Sequence, residues 1–400
     1  MNAVSITSAL ALVAAVGCMA SVAQCVEPVF RKIANNQIVY PTISRDGHVI
    51  VSPTIPWGMG VKMTDLSATV VLSPPANATT FIPTGISDDG STIVGYGEYL
   101  GSTRPMRWRA SSGTRLIIPV TFPPADFSVG YANAVSGDGA VVFGYEPGGK
   151  GFRWTQGAGA TQIPVPPELP GAALTPIAAS TSGDKAIGYV SSESFLWQSG
   201  SSAILPSPAG THSQVVAMNE DGSVLVGYTS DEVNRFAGRW TASGHHSLGT
   251  LPNGLDPGTA NAVSRDGKVI AGQGGPYGHL FVWTPQLGAI DLVQALICHG
   301  NVSIVGYQNW WVTSMTSDGK HIVGYASETG TNKNVPWIID WPSCPADLNG
   351  DGVVDDADFS IFVMSYNIYL DTIGDLNYDC VTDDADFSHF VVAYNELLCP

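Results

Sequence analysis

Residues 86 to 96 read ISDDGSTIVGY, and the same pattern recurs along most of the 400-residue chain. The other copies are ISRDGHVIVS from Ile43, VSGDGAVVFGY from Val135, STSGDKAIGY from Ser180, MNEDGSVLVGY from Met218, VSRDGKVIAGQ from Val263 and MTSDGKHIVGY from Met315. The Asp positions are separated by 43, 49, 44, 39, 45 and 52 residues, with Ser182 standing at the Asp position of the fourth copy. Asp-Gly between two apolar, β-branched runs is a hairpin signal, because Gly accepts the positive φ that a tight turn demands. Roughly twenty residues after each hairpin a Trp marks a further strand: Trp108, Trp154, Trp197, Trp240, Trp283 and Trp337, with Trp57 a looser match in the first unit. Several are followed by a Gly-containing turn and another short apolar run, so each unit supplies about four strands.

Four-stranded repeats of this length cannot bury both faces alone, and they close into a ring of blades. Seven copies predict a mainly β chain with a seven-bladed β-propeller over residues 28–343. The last unit ends at Trp337 without an outer strand, which the segment Pro28 to Tyr40 is placed to supply as a ring-closing clasp. The fourth blade, lacking the turn Asp, is expected to be the least regular. The repeat resembles the bacterial extracellular repeat named for its His-Ala-Phe signature, here eroded to Arg-Trp or Phe-Leu-Trp.

A second repeat lies near the C-terminus. DLNGDGVVDDADFSIFVMSYN begins at Asp347 and DLNYDCVTDDADFSHFVVAYN at Asp375, with 15 of 21 positions identical. Each copy places oxygen-bearing groups at loop positions 1, 3, 5, 7, 9 and 12, the spacing with which a flexible loop wraps a hard cation. The first set is Asp347, Asn349, Asp351, the Val353 carbonyl, Asp355 and Asp358; the second is Asp375, Asn377, Asp379, the Val381 carbonyl, Asp383 and Asp386. Each loop runs into one amphipathic helix, carrying Phe359, Phe362, Val363 and Tyr366 in the first copy and Phe387, Phe390, Val391 and Tyr394 in the second. Residues 344–400 hold twelve acids and no Lys or Arg, twelve of the seventeen net negative charges. Such crowding makes folding dependent on bound cations.

This duplicated loop-helix pattern resembles a dockerin, over residues 344–400. The resemblance implies a small α-helical domain of paired EF-hand-like loops that folds around two Ca2+ ions and docks into a cohesin-like or cell-surface protein. Both copies read Asp-Ala at loop positions 10 and 11, where a Ser-Thr pair often contacts cohesin, so the usual cohesin specificity is not expected. The flanking CPAD and NELLCP are similar to the cysteine-framed dockerin variant, which suggests a staple between Cys344 and Cys399. Cys380 stands where glycine normally allows the sharp turn, which predicts a weaker second site.

Residues 1–23 read as a secretory signal, with an apolar stretch from Ser8 ending in the small residues Ser21 and Ala23. An extracellular, cell-surface-associated location follows as the expectation. No other run approaches the length of a membrane span. A net charge of −17 makes nucleic acid and anionic membranes poor partners. Turn geometry accounts for Asp46, Asp89, Asp138, Asp221, Asp266 and Asp318, and no GxSxG, HExxH, P-loop or dinucleotide fingerprint is present. Arg153 and Arg239 precede Trp in equivalent strands and read as blade packing, and the His245–His246 pair reads as surface. The stretch from Ile297 to Trp311 escapes the repeat and holds Cys298, His299, Tyr307, Trp310 and Trp311. Its tryptophans fit either the core or a sugar-stacking surface. The residues thus predict a non-catalytic binding or display propeller, open to a carbohydrate ligand and carried by a calcium-dependent attachment module. The alternative is a carbohydrate-active propeller enzyme of polysaccharide degradation, delivered by its dockerin.

Overall fold

The computed structural model describes residues 28–33, 39–54, 58–117, 130–231, 233–274, 278–300, 304–331, 333–342, 344–366 and 372–396. The signal segment 1–23, Cys25, Trp57 and Cys399 lie outside them. The chain forms two compact units, one of Phe30–Val293 with Val302–Asp340 and the other built chiefly from Gln294–Asn301 and Trp341–Pro400. Among the described residues no helix is long and apolar enough to cross a membrane.

The first unit contains seven four-stranded antiparallel sheets. The first blade is β2 (Thr42–Ile43), β3 (Val49–Pro53), β4 (Gly60–Thr64) and β5 (Ala68–Leu72), and five further blades of consecutive strands end at β25 (Gly288–Asp291). The seventh takes β26 (Tyr307–Met315), β27 (His321–Glu328) and β28 (Asn334–Asp340), and its outer strand is β1 (Val29–Lys32) from the start of the chain. The expected clasp is therefore formed, on a shorter stretch than Pro28 to Tyr40. Ile33 N donates to Pro336 O at 3.0 Å, and Arg31 pairs with Asp340 at 2.7 Å.

Each Asp-Gly segment turns the innermost strand into the second. The turn glycines have φ between 63° at Gly222 and 82° at Gly47. The buried hydroxyl of Ser44 donates to Asp46 Oδ1 at 2.6 Å and accepts from Val49 N at 3.0 Å; Ser87, Ser136, Ser264 and Thr316 repeat both bonds. These serines and threonines are thus fixed by the turn, as its aspartates are.

The fourth blade departs from expectation. Its four strands, β14 (Leu174–Ala179) to β17 (Ser201–Ile204), are as regular as the others. Asp184, two residues beyond the consensus position, accepts from Ser180 Oγ at 2.8 Å and from Ser182 Oγ, and so replaces the missing carboxylate. Those hydroxyls hold its carboxyl below the usual range.

The glycine of each Gly-Tyr pair is explained by close approach. The innermost strands of blades two to seven each carry a register shift, and opposite it the chains crowd. A Cβ at Gly95 would lie 2.0 Å from Ile82 O, and one at Gly324 would lie 1.9 Å from Trp311 O. The expected tryptophans fall on third strands, with Trp154, Trp197, Trp240, Trp283 and Trp337 all buried. The basic residue before one Trp lies over the Trp of the next blade: Arg107 over Trp154 at 5.0 Å, Arg153 over Trp197 at 6.0 Å and Arg239 over Trp283 at 4.6 Å. Arg153 and Arg239 therefore serve blade packing, as their positions suggested.

Candidate functional sites

Between the buried Ser, Thr or Asn219 and the Asp of each turn, or Ser182 in the fourth, lies one residue that varies freely: Arg45, Asp88, Gly137, Thr181, Glu220, Arg265 and Ser317. These seven form one ring. Backbone bonds join neighbouring turns, among them Asp46 N to Asp88 O at 3.0 Å, Asp88 N to Gly137 O at 3.0 Å, Thr181 N to Glu220 O at 2.8 Å and Ser317 N to Arg45 O at 2.8 Å. Between the fifth and sixth turns Asn219 Nδ2 donates to Arg265 O at 2.9 Å, and Arg265 Nε meets Glu220 Oε2 at 3.0 Å.

Side chains also link turns that are not neighbours. Arg45 donates to Met218 O at 2.7 Å and Val263 O at 3.1 Å, Thr181 Oγ1 donates to Asp88 Oδ2 at 2.8 Å, and Ser317 Oγ bonds Glu220 Oε1. Burial lowers the Arg45 pKa and raises that of Asp88, each countered in part by the opposite charge. Gly137 leaves space for Asp88, whose Oδ2 would lie 1.9 Å from a Cβ there. With two cations and two anions mutually engaged, the ring is a polar plug joining the blades. Sequence reasoning missed it, because a position without a consensus carries no periodic signal.

Trp310 is buried, 5.9 Å from Trp337, and belongs to the core. Trp311 is 45% exposed and lies within 7° of the Tyr325 ring plane at 6.2 Å. Trp310 thus follows the core reading, whereas Trp311 lies at the surface against a neighbouring ring. His245 packs edge-on to Trp240 at 4.9 Å and burial lowers its pKa, whereas His246 bonds Ser243 Oγ at 2.8 Å.

The second unit holds the acidic loops. Asp347, at position 1, accepts from Gly350 N at 2.8 Å and Gly352 N at 2.8 Å; Asp375 accepts from Asp379 N at 3.0 Å and Cys380 N at 2.9 Å. Position 12 is equally matched. Asp358 takes the amides of Asn349 and Asp355, and Asp386 those of Asn377 and Asp383. Asp355 caps α2 (Asp356–Ser365) through Ala357 N at 2.8 Å, and Asp383 stands likewise before α3 (Asp384–Glu396) through Ala385 N at 2.8 Å. Both helices begin earlier than their first aromatic residues.

The helices exchange tyrosine contacts, with Tyr366 Oη on Asp384 and Tyr394 Oη on Asp356 at 2.7 Å. Between them Phe362 and Phe390 stack at 5.2 Å, while Phe359, Val363, Phe387 and Val391 remain exposed.

Four of the proposed metal residues are buried: Asp358 and Asp386 completely, Asp375 at 2% exposure and Asp347 at 6%. Burial pushes the carboxyls of Asp358, Asp375 and Asp386 above their usual range. Residues 344–400 contain no Lys or Arg to neutralise them. A hard, oxygen-seeking cation fits this donor chemistry. Asn349, Asp351, Asn377 and Asp379 are committed to loop amides, as in Asp351 Oδ1 accepting from Val353 N at 2.9 Å. Correspondingly, among the described residues no three His, Cys, Asp or Glu side chains are gathered as a metal-holding group.

The second loop keeps the shape of the first despite its substitutions. Positions 4 and 6 have φ of 74° and 90° at Gly350 and Gly352, against 61° and 76° at Tyr378 and Cys380. Left-handed backbone costs a non-glycine residue about 1–2 kcal/mol. Cys380 is joined to Cys298, in α1 (Leu292–Cys298). Cys344 is also disulfide-bonded, while Cys399, expected opposite it, lies outside the described residues.

No protein-family model and no curated protein matches the chain. Among solved structures, an oligogalacturonate lyase in complex with manganese is 15% identical, covering 78% of this chain and 93% of that one with a TM-score of 0.52. A β-propeller domain from Myceliophteria thermophila is 12% identical over 78% of this chain and 99% of that one, with a TM-score of 0.49. TolB from Acinetobacter baumannii reaches 13% identity, 62% and 61% coverage and a TM-score of 0.38. The likeness to the lyase is one of propeller fold.

Proposed function

We propose that this is a secreted binding or display protein, its propeller held at a surface or in a complex by a calcium-dependent, dockerin-like C-terminal module. The observation that carries this reading is the pair of matching acidic loops, with four buried carboxylates and no Lys or Arg from residue 344 onward. Asp347, Asn349, Asp351, the Val353 carbonyl, Asp355 and Asp358 would hold one Ca2+; Asp375, Asn377, Asp379, the Val381 carbonyl, Asp383 and Asp386 would hold the other. Each ion supplies the positive charge that the loop lacks. The exposed Phe359, Val363, Phe387 and Val391 offer an apolar surface to a cohesin-like or cell-surface protein. A binding role for the propeller is supported by the engagement of Asp88 and Glu220 with other members of the polar ring, a structural use of its acids.

The test is retention of the full chain on the surface fraction of the source cells. Retention should require calcium, be released by chelator and be lost when the chain is cut after Asp340. Retention unaffected by both treatments would reject the attachment role.

A further inference from the structure

The two acidic loops reach one backbone shape by different means. The first uses glycine at positions 4 and 6. The second has Tyr378 and Cys380 there, yet Cys380 N still donates to Asp375 Oδ2 at 2.9 Å, as Gly352 N does to Asp347 Oδ2 at 2.8 Å. The difference lies in what surrounds the second loop within its unit. Cys298 is bonded to Cys380, and Gln294 Nε2 approaches Cys380 Sγ at 3.1 Å. The buried His299 ring lies 5.3 Å from Tyr378, which also packs against Trp341 at 4.9 Å. Thus both left-handed residues of the second loop are braced, one covalently and the other by aromatic packing.

We propose that Cys298 is a positioning residue of the second cation site, and that its disulfide to Cys380 makes this site redox-dependent while the first remains indifferent. The inference rests on the calcium reading of both loops. With the bridge formed, Cys380 is held at positive φ and its amide stays directed at the position-1 carboxylate. A dithiol reductant transfers two electrons and two protons by thiol–disulfide exchange, leaving two thiols on the protein and a cyclic disulfide on the reductant. Cys380 is then free to leave the left-handed region, which opens the loop around Asp375.

Calcium calorimetry on the full oxidised chain, Cys298→Ser and the double variant Cys298→Ser/Cys380→Gly tests this, with Cys344 unaltered throughout. The oxidised chain should bind two ions. Cys298→Ser should keep one at unchanged affinity and bind the other at least about tenfold more weakly. The double variant should recover the second site to within about threefold, since glycine restores the turn without a bridge. Because a dithiol also opens the Cys344 bridge, the double variant is the control for this treatment: the dithiol should weaken the second site of the unsubstituted chain about tenfold and leave that of the double variant unchanged. Two sites of unchanged affinity in Cys298→Ser, or failure of the double variant to recover, would overturn the proposal and leave the calcium reading intact. No calcium uptake by the oxidised chain would overturn both.

Discussion

Replacing Phe30 by Ala is expected to open the propeller at its clasp. Phe30 is 7% exposed on β1, with its ring 5.8 Å from Trp310 in an edge-to-face contact and 6.0 Å from Tyr307. Truncating a buried Phe costs about 3–5 kcal/mol through lost transfer energy and the cavity left behind. The ion pair from Arg31, on the same strand as Phe30, to Asp340 on β28 has side chains 45% and 31% exposed, and such a pair contributes no more than about 1 kcal/mol. Apolar anchoring should therefore outweigh the ion pair. Denaturant titration of Phe30→Ala and Arg31→Ala would compare global stability, and hydrogen exchange at the β28 amides would report the clasp directly. The expected result is a large loss for Phe30→Ala, with deprotection concentrated on β28, and a small loss for Arg31→Ala. If Phe30→Ala stays within about 1 kcal/mol of the parent, or Arg31→Ala costs as much, the account of ring closure is wrong.

Asp184→Ala should destabilise the fourth blade by about 1 kcal/mol per hydroxyl bond lost, read as deprotection of the amides on either side of Gly183. Arg45→Met should lower the propeller's melting temperature by an amount equivalent to about 1.5–3 kcal/mol, since Met218 O and Val263 O lose a charged donor. The metal-free C-terminal unit should grow more stable as pH falls from 7 into the carboxylate range. Burial raises the folded pKa values of Asp358, Asp375 and Asp386, so the folded form binds protons that the unfolded form does not. Thermal melts in chelator at stepped pH would check this, and saturating calcium should abolish or reverse the trend.

Seven blades could be read from the chain because the turn glycine answers to one geometric demand repeated seven times, and a Trp marks the third strand in six of the blades. Asp46 and its counterparts are fixed by the turn, whatever the blade binds. The clasp was legible for a similar reason: a blade ending at Trp337 lacks an outer strand, and a free segment precedes the first blade. The plug of Arg45, Asp88 and Glu220 was hidden because its members share a place in space and no residue type. The fourth turn misled because Asp184 acts from two residues away, beyond the register of the repeat. In the acidic loops the two matching turns were legible from spacing, whereas the pairing of Cys380 with Cys298, 82 residues earlier, was not. Cys380, which stands in place of the turn glycine, nevertheless keeps the loop backbone in the shape of the first copy.

The central claim is that the C-terminal acidic repeat is a two-calcium module, and the most direct test is the number of ions held by the full chain in equilibrium dialysis against calcium. The account predicts two per chain, falling to one in either Asp358→Ala or Asp386→Ala and to none in the double variant. A chain that retains no calcium, or a double variant that still retains two ions, would contradict it.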